Sequence, residues 1–325
     1  MKLAVVLFNL GGPDCLGAVE PFLRNLFSDP AIIDLPAPLR LPLAWFIAKR
    51  RGLIAREIYA KIGGRSPILE ETEAQARALE TVLGAARAFI AMRCWKPFAD
   101  ETARAVKEWG PDLVVLLPLY PQFSTTTTAS SLADWHRASR RAGLQAPTAQ
   151  ICCYPAEDGF IAALADLTRQ TMALAKPEIS YRLLLSAHGL PERTVAKGDP
   201  YRRQVEQSAA ALVERLGIVD WSICFQSRVG PLKWIEPATD AEIRRAGRDG
   251  KGVIVVPLAF VSEHSETLVE LDIEYAKLAR EAGVPHYLRV PTVGTHPAFI
   301  QGLAKLVRQG GRQCSPEGKI CGFRG

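Results

Sequence analysis

The chain has 325 residues, of which 48% are apolar and 23% charged, a composition typical of a globular protein that buries a core. Its formal net charge of +6 is a mild basic excess that suits an acidic small molecule or an anionic membrane surface. The basic residues form no stripe with interleaved aromatic residues, which argues against a nucleic-acid partner.

The first apolar run, Leu3–Phe8, predicts a strand and not a signal peptide, because Asn9 and a Gly-Gly-Pro turn interrupt it early. No run reaches the roughly 18 uncharged apolar residues of a membrane span. Seven cysteines, an odd number spread along the chain, do not resemble a secreted disulfide framework. We therefore expect a cytoplasmic protein whose thiols are reduced.

Short apolar runs alternate with amphipathic stretches along the chain. The runs are nearly continuous in apolar character, which is typical of strands covered on both faces. The alternation predicts an α/β fold with parallel, doubly wound sheets. The predicted strands are Leu3–Phe8, Ala88–Arg93, Leu113–Leu117, Thr148–Cys152, Arg182–Ser186, Ser222–Gln226 and Gly252–Pro257. The predicted helices include Thr72–Ala86, Phe160–Ala173, Tyr201–Leu216 and Ser265–Ala282.

Two parts of the sequence resemble each other. The run Val114–Tyr120 parallels Val253–Ala259, and Leu7–Pro13 parallels Leu185–Pro191. The matches predict two similar Rossmann-like domains, residues 1–147 and 148–310, with a cleft between them and a tail at 311–325. The alternative is that strand–turn units in general look alike.

The two copies differ in the residues that follow their strands. The second copy has His188 where the first has Leu10, and its polar segment carries acids where the first carries only hydroxyls. Because ligands of open α/β sheets bind at the carboxyl ends of strands, the second half is the expected place for chemistry.

His188 comes directly after a predicted strand and before Gly189 and Pro191, on what we expect to be a fixed turn. A neutral imidazole can accept a proton or bind a metal near neutral pH. A turn histidine hydrogen-bonded only to the backbone is an equally good interpretation of this segment alone.

The segment Phe260–Glu274 carries five acids and His264, with no basic residue from Glu263 to Glu274. On an α-helix Glu266 and Glu270 share a face, as do Glu270 and Glu274, so a row of like charges is expected. Such a row suits the passage of a divalent cation or of protons. The alternative, acids that favour the helix N-terminus, explains only the first two.

Trp234, after a Gly-Pro turn, could face a flat aromatic ligand or cover the edge of the core. These three segments, in this order, resemble the ferrochelatase family, which metallates porphyrins. Further segments carry the same resemblance, and the similarity extends from about Leu3 to about Val307. They are Asn9–Pro13, Tyr59–Pro67, Pro118–Ser124, Gly198–Tyr201 and Glu270–Tyr275.

The resemblance implies two Rossmann-like domains with a porphyrin cleft between them, and insertion of Fe²⁺, the metal substrate, into protoporphyrin. It implies His188 and Glu266 as catalytic residues and iron site, with Glu263, Glu270 and Glu274 as a path for metal or protons. It also implies residues that bind the porphyrin. These are Leu10, Arg51, Tyr59, Ser66, Arg93, Trp234, Phe260 and His264. Cys94 stands where many relatives have tyrosine, so the contacts there are expected to differ.

Residues 35–52 are apolar and aromatic and end in Lys49, Arg50 and Arg51. The segment matches a lip that borders the porphyrin pocket in the family, and its composition suits the inner face of the cell membrane. A buried helix with a cationic end is the alternative, but Pro36, Pro38 and Pro42 do not suit a core helix.

Some ferrochelatases hold a [2Fe–2S] cluster, which takes four thiolates. Here Cys152, Cys153, Cys314 and Cys321 could supply them, and free thiols are an equal alternative. The chain lacks a dinucleotide fingerprint and a Walker lysine, so no nucleotide is expected. A porphyrin carrier, a chelatase for coproporphyrin or another tetrapyrrole, and a monomer or a homodimer all stay open.

Overall fold

The computed structural model describes residues 1–228, 230 and 232–310. Within them the chain forms two compact units, Met1–Cys153 with the described residues from Leu303 onward, and Tyr154–Gly302. The last helix therefore contributes residues to both units. The predicted cleft between the two halves stays a prediction.

The first unit is a parallel sheet with strand order β2-β1-β3-β4 and helices around it. Its core contains Phe8 of β1 against Trp135, with ring centroids 5.9 Å apart. The strands are β1 (Leu3–Asn9), β2 (Ala86–Met92), β3 (Leu113–Pro118) and β4 (Thr148–Gln150). The α-helices are α1 (Val19–Phe27), α2 (Ala37–Ala60), α3 (Ile68–Leu83), α4 (Ala99–Trp109) and α5 (Ser130–Ala142).

The second unit repeats this plan, with strand order β6-β5-β7-β8 in a second parallel sheet. Leu184, Val255 and Leu271 lie in its buried core. The strands are β5 (Tyr181–His188), β6 (Trp221–Gln226), β7 (Gly252–Pro257) and β8 (Tyr287–Arg289). The α-helices are α6 (Asp158–Met172), α7 (Glu192–Ala196), α8 (Tyr201–Leu216), α9 (Thr239–Arg248), α10 (Ala276–Glu281) and α11 (Pro297–Arg308), the last of which extends beyond this unit.

The predicted fold class is confirmed, since each half of the chain forms a four-stranded parallel sheet of the same order. All seven predicted strands are present, with small shifts at their ends. The sequence analysis missed β8, whose three residues are too few to show a pattern.

One predicted helix has a different form. Ser265–Ala282 is expected as one α-helix, but Glu266–Tyr275 is a π-helix and only Ala276–Glu281 is α-helical. The first unit has a shorter π-helix at Thr125–Ala129. We call them the second and the first π-helix. Each π-helix follows an inner strand of its sheet, β3 in the first unit and β7 in the second. π-Helices are rare in proteins, and those that occur are often found at functional sites.

Helix α2 lies on the surface with an unusual distribution of side chains. From Ala37 to Gly52 its buried positions, Ala44, Ala48 and Gly52, are small and lie one turn apart; Tyr59 is buried near its end. The large apolar residues face outward instead; Leu39 is 62% and Phe46 54% exposed. The predicted lip is thus an exposed helix that continues through Pro42, and the buried-helix alternative is wrong.

Candidate active site

His188 is the last residue of β5, the central strand of its sheet, and its side chain is 38% exposed. Its Nδ1 lies 2.6 Å from the carbonyl oxygen of Gly189. Because a carbonyl only accepts hydrogen bonds, Nδ1 must donate, and a neutral His188 keeps its lone pair on Nε2. The atom able to accept a proton is therefore fixed by the turn.

Gly189 allows this turn because its neighbours leave no room for a side chain. A Cβ there would lie 2.9 Å from the carbonyl oxygen of Gln226 and 3.3 Å from the Trp234 ring. Trp234 is held beside Pro191 by an isolated antiparallel bridge. Its indole nitrogen is buried and has no hydrogen-bond partner among the described residues. The structure thus brings two predicted site residues, His188 and Trp234, close together.

Glu266, the first residue of the second π-helix, faces His188. Its Oε1 lies 3.6 Å from His188 Nε2, and its Oε2 lies 3.7 Å from His264 Nε2. Oε2 is buried and has no hydrogen-bond partner within the described part of the chain. His264 packs against Phe260, with ring centroids 4.7 Å apart. Four predicted site residues therefore form one cluster.

The two central groups shift each other's pKa. Burial disfavours a charged imidazole, but the carboxylate of Glu266 outweighs it and raises the pKa of His188 to about 9. Burial also opposes ionisation of Glu266, yet His188 and His264 hold the pKa of that carboxyl well below its usual range. At neutral pH the pair is an imidazolium and a carboxylate.

Four donors hold the carboxylate of Glu270. Ser227 donates to Oε1 from its main-chain nitrogen at 2.8 Å and to Oε2 from its hydroxyl at 2.5 Å. The Tyr275 hydroxyl donates to Oε1 at 2.9 Å, and Gln226 Nε2 donates to Oε2 at 3.1 Å. Burial and the charge of Glu266 still raise the pKa of Glu270. Glu270 is therefore an oriented carboxylate that gains a proton more readily than usual.

The two remaining acids of the predicted path lie in other surroundings. Glu263 Oε1 accepts a hydrogen bond from Arg289 Nη1 at 2.6 Å and from the main-chain nitrogen of Thr292 at 2.9 Å. Burial alone would raise the pKa of Glu263, but Arg289 lowers it below the usual value. Glu274 is exposed. Of the four acids, Glu266 contacts His188 and His264 directly, and Glu270 is linked to Glu266 through Gln226.

The predicted porphyrin contacts of the first unit collect around another cluster. Leu10 and Tyr59 pack with Cys94, and Arg51 lies over Phe27, 5.8 Å from the ring centroid.

Arg93 also lies there, but its guanidinium is engaged: Nη2 lies 2.9 Å from Asp29 and Nε donates to the Ser130 hydroxyl at 2.7 Å. Ser66 is buried against Gly12 and lies next to the start of α3.

Sequence reasoning missed two residues at the cluster of the second unit. Gln226, fully buried at the end of β6, pairs in register with His188 and donates to the main-chain oxygen of Glu266 at 3.1 Å. Arg289 lies on the unpredicted β8. A polar residue at the carboxyl end of a predicted strand was an available signal for Gln226; none was available for Arg289.

Metal ligands are sparse among the described residues, where no three His, Cys, Asp or Glu side chains are grouped to hold an ion. The Sγ atoms of Cys152 and Cys153 lie 3.4 Å apart and are buried. Cys314 and Cys321 lie outside the described residues. Of the helices that the structure describes, none is long and apolar enough to cross a membrane.

The fold is that of chelatase-like proteins, in which each of two α/β units has a parallel sheet. The fold matches the sirohydrochlorin chelatase SirB from Bacillus subtilis subspecies spizizenii in complex with cobalt, at a TM-score of 0.58, 13% identity and 98% and 99% coverage of the two chains. The ferrochelatase family model matches residues 2–310.

Two ferrochelatases illustrate the similarity in sequence. The protein from Caulobacter vibrioides is 56% identical, over 99% of this chain and 94% of its own. That from Phenylobacterium zucineum is 59% identical, over 94% and 90%. The chain belongs to the ferrochelatase family.

Proposed function

We propose that this protein inserts Fe²⁺ into protoporphyrin IX, with release of two protons, to give protohaem in the terminal step of haem synthesis. The observation that carries the proposal is the pair of His188 Nε2 and Glu266 Oε1, 3.6 Å apart on two partly exposed side chains, in a chain of the ferrochelatase family. Fe²⁺ is a substrate here, and the reaction requires no nucleotide.

The chemistry explains why an imidazole and a carboxylate are needed. A free-base porphyrin carries two pyrrole N–H protons that must leave as the metal enters. The flat ring holds its lone pairs inward, so bending it exposes a lone pair, and contacts around the ring edge supply the energy for that strain. A base within reach of the exposed N–H completes the step.

His188 is the proposed base, acting at Nε2. The Gly189 carbonyl holds the proton on Nδ1, and Glu266 stabilises the imidazolium that forms. Because the pair already carries one proton at neutral pH, that proton must leave before His188 can accept another. Glu266 Oε2, without a hydrogen-bond partner among the described residues, is the proposed acceptor of the cation or proton. Glu270 and Glu274 continue the proposed path.

The proposed porphyrin contacts are apolar, aromatic and basic. The Trp234 ring lies beside Gly189, which follows His188, and Phe260 packs against His264, whose Nε2 lies 3.7 Å from Glu266. Leu10, Tyr59, Ser66, Arg93 and Arg51 supply the remaining contacts. Arg51 is the proposed partner of a propionate. Burial disfavours its positive charge and lowers its pKa, and a nearby carboxylate would offset that cost.

We further propose that the protein binds the inner face of the cell membrane through α2. Leu39, Phe46 and Leu53 are exposed apolar side chains beside Lys49 and Arg50, a combination that suits the boundary between acyl chains and anionic headgroups. A membrane-bound, apolar porphyrin would then reach the protein from the bilayer. This favours protoporphyrin over the more polar coproporphyrin.

The decisive test is an anaerobic assay of Fe²⁺ insertion into protoporphyrin and coproporphyrin, with wild type and Glu266→Gln. We expect the wild type to metallate protoporphyrin faster than coproporphyrin. The variant should quench porphyrin fluorescence normally but form haem only at a small residual rate. Faster turnover of coproporphyrin would identify the alternative chelatase. Porphyrin binding without turnover by the wild type would identify a carrier and overturn the proposal.

The same preparation tests the predicted [2Fe–2S] cluster, for which Cys152 and Cys153 are the two proposed ligands within the described residues. A cluster gives visible absorption bands that disappear on replacing either cysteine. Two free thiols give none.

A further inference from the structure

The second π-helix needs support from outside itself. Its hydrogen bonds run from residue i to i+5, and such helices normally occur as single-turn insertions in α-helices. Here Glu266–Tyr275 has ten residues. Relaxation to an α-helix would change the angular position of every side chain along it. Glu266 and Glu270 keep their places only if neighbouring elements hold the helix in this form.

Strand β8 supplies such support from the edge of the sheet. Tyr287 and Arg289 are two residues apart, so both side chains point to the same face. The Tyr287 hydroxyl donates to the main-chain oxygen of Leu271, inside the π-helix, at 2.8 Å. Arg289 is fixed to the sheet by its register with Val255 of β7. The edge strand is therefore joined to the helix at adjacent positions.

Arg289 contacts both ends of the segment that carries the acids. Its Nε and Nη2 donate to the two carboxylate oxygens of Asp272 at 2.7 and 2.5 Å, a bidentate pair. Its Nη1 donates to Glu263 at 2.6 Å, three residues before Glu266. The side chain is 12% exposed, so water screens these contacts little.

Resting on the proposed function, we infer that Arg289 is a positioning residue: its fork holds the π-helix in register and so places Glu266 against His188. Arg289 touches neither of these two residues in the structure. It acts through Glu263 and Asp272, whose negative charges it also neutralises. Lysine cannot replace it fully, because an ammonium is a point donor without the planar fork.

The chain offers a matched control in the same unit. Arg182, at the start of β5, is 10% exposed and also binds two carboxylates, Asp220 and Asp249, each at 2.8 Å. It lies at the opposite end of the strand from His188. Loss of Arg182 should destabilise the fold as loss of Arg289 does, because each removes a guanidinium shared by two carboxylates; Lys251 still pairs with Asp220 after the loss of Arg182.

The experiment compares Arg289→Met, Arg289→Lys and Arg182→Met in the full chain at a temperature where each is folded. We expect Arg289→Met to lower kcat for Fe²⁺ insertion about 10²-fold with KM for the porphyrin unchanged, since a displacement of about 1 Å can cost that much. Arg289→Lys should recover part of the rate, and Arg182→Met should keep the wild-type kcat.

Hydrogen exchange provides a readout that does not require activity. Amides of Glu266–Tyr275 should exchange faster in Arg289→Met and at the wild-type rate in Arg182→Met. If the wild type inserts iron but the two methionine variants share the same kcat and the same exchange in this helix, the inference is wrong. If the wild type inserts no iron, the proposed function fails while the exchange result still tests the anchor.

A triple variant separates anchoring from charge. Arg289→Met with Glu263→Gln and Asp272→Asn removes the fork without leaving unpaired carboxylates. We expect it to regain thermal stability while kcat stays low. A return of kcat to the wild-type value would mean that neutralisation alone matters, and would overturn the positioning role.

Discussion

The carboxyl edges of the two sheets share a plan but not a chemistry. In the second unit, β5 ends in His188 and the π-helix after β7 carries Glu266 and Glu270. In the first unit, Leu10 follows β1, and the π-helix after β3 is a row of threonines. At the offset that aligns Pro118 with Pro257, Thr127 and Ser131 occupy the places of Glu266 and Glu270.

The difference lies in what each edge does with buried polar groups. The Thr127 and Ser131 hydroxyls are buried without a hydrogen-bond partner among the described residues, whereas donors surround Glu270 on both oxygens. A buried carboxylate costs far more to leave unpaired than a hydroxyl does, so Glu270 requires donors that Thr127 and Ser131 do not. The same backbone frame thus carries hydroxyl groups at the edge of one sheet and ionisable groups at the edge of the other.

The largest expected effect is on the rate of metallation, which should respond to a substitution at the edge of the second sheet but not at the edge of the first. His188→Gln should lower the rate of metallation about 10²- to 10⁴-fold, the range for loss of a general base, while porphyrin binding persists. Thr127→Val, at the counterpart of Glu266, is nearly isosteric and should leave the rate within twofold of wild type. An anaerobic assay measures the rate of metallation, and a fluorescence titration measures porphyrin binding. Equal losses of rate in the two variants would contradict the proposed difference between the two sheet edges.

The second prediction concerns pH. Because Glu266 raises the pKa of His188 to about 9, the protonated form prevails at neutral pH, and the rate of metallation should rise with pH as His188 loses that proton. Glu266→Gln removes the charge that favours the imidazolium, so the residual rate should reach its plateau at lower pH. The variant Thr127→Val should follow the wild-type profile.

Rate–pH profiles at saturating porphyrin test this prediction. The result that contradicts it is a residual profile of Glu266→Gln that coincides with that of the wild type.

The third prediction turns to stability, where the first unit should be as sensitive as the second. Asp29 is almost fully buried and pairs with Arg93 at 2.9 Å. Asp29→Ala should lower the free energy of unfolding by about 3–5 kcal/mol, because it leaves a mostly buried guanidinium with only Asp134, 4.0 Å away, as an acidic partner. The exposed pair of Arg141 and Asp100 is the control, and Asp100→Ala should cost less than about 1 kcal/mol. Urea unfolding distinguishes these outcomes.

The smallest effect on stability is expected on α2. Replacing exposed Phe46 with serine should change the free energy of unfolding by less than about 0.5 kcal/mol. The same variant should bind vesicles of anionic lipid about tenfold more weakly, if that ring enters the acyl boundary. Sedimentation of vesicles measures this binding. The control is Leu174→Ser, at an exposed residue just after α6, which should keep wild-type binding.

The sequence alone predicted the fold class and singled out His188 and Glu266, which the structure brings to within 3.6 Å of each other. Continuous apolar runs and the repeat predicted the two sheets, because a strand that is buried on both faces needs an apolar residue at nearly every position. His188 and Glu266 could be singled out since each follows a strand and resembles a family motif. Neither the repeat nor the motifs contained a sign of the π-helix, whose i to i+5 pattern is not visible in a short acidic segment.

Tertiary structure decided the rest. It joined β8 to the helix through Arg289, gave Gln226 its place beside Glu266, and engaged Arg93 with Asp29. Each of these contacts links residues far apart in the chain, so local pattern carries no information about them. The same is true of the pKa of His188. It depends on the carboxylate of Glu266, which lies 3.6 Å away but belongs to a different element, 78 residues further along the chain.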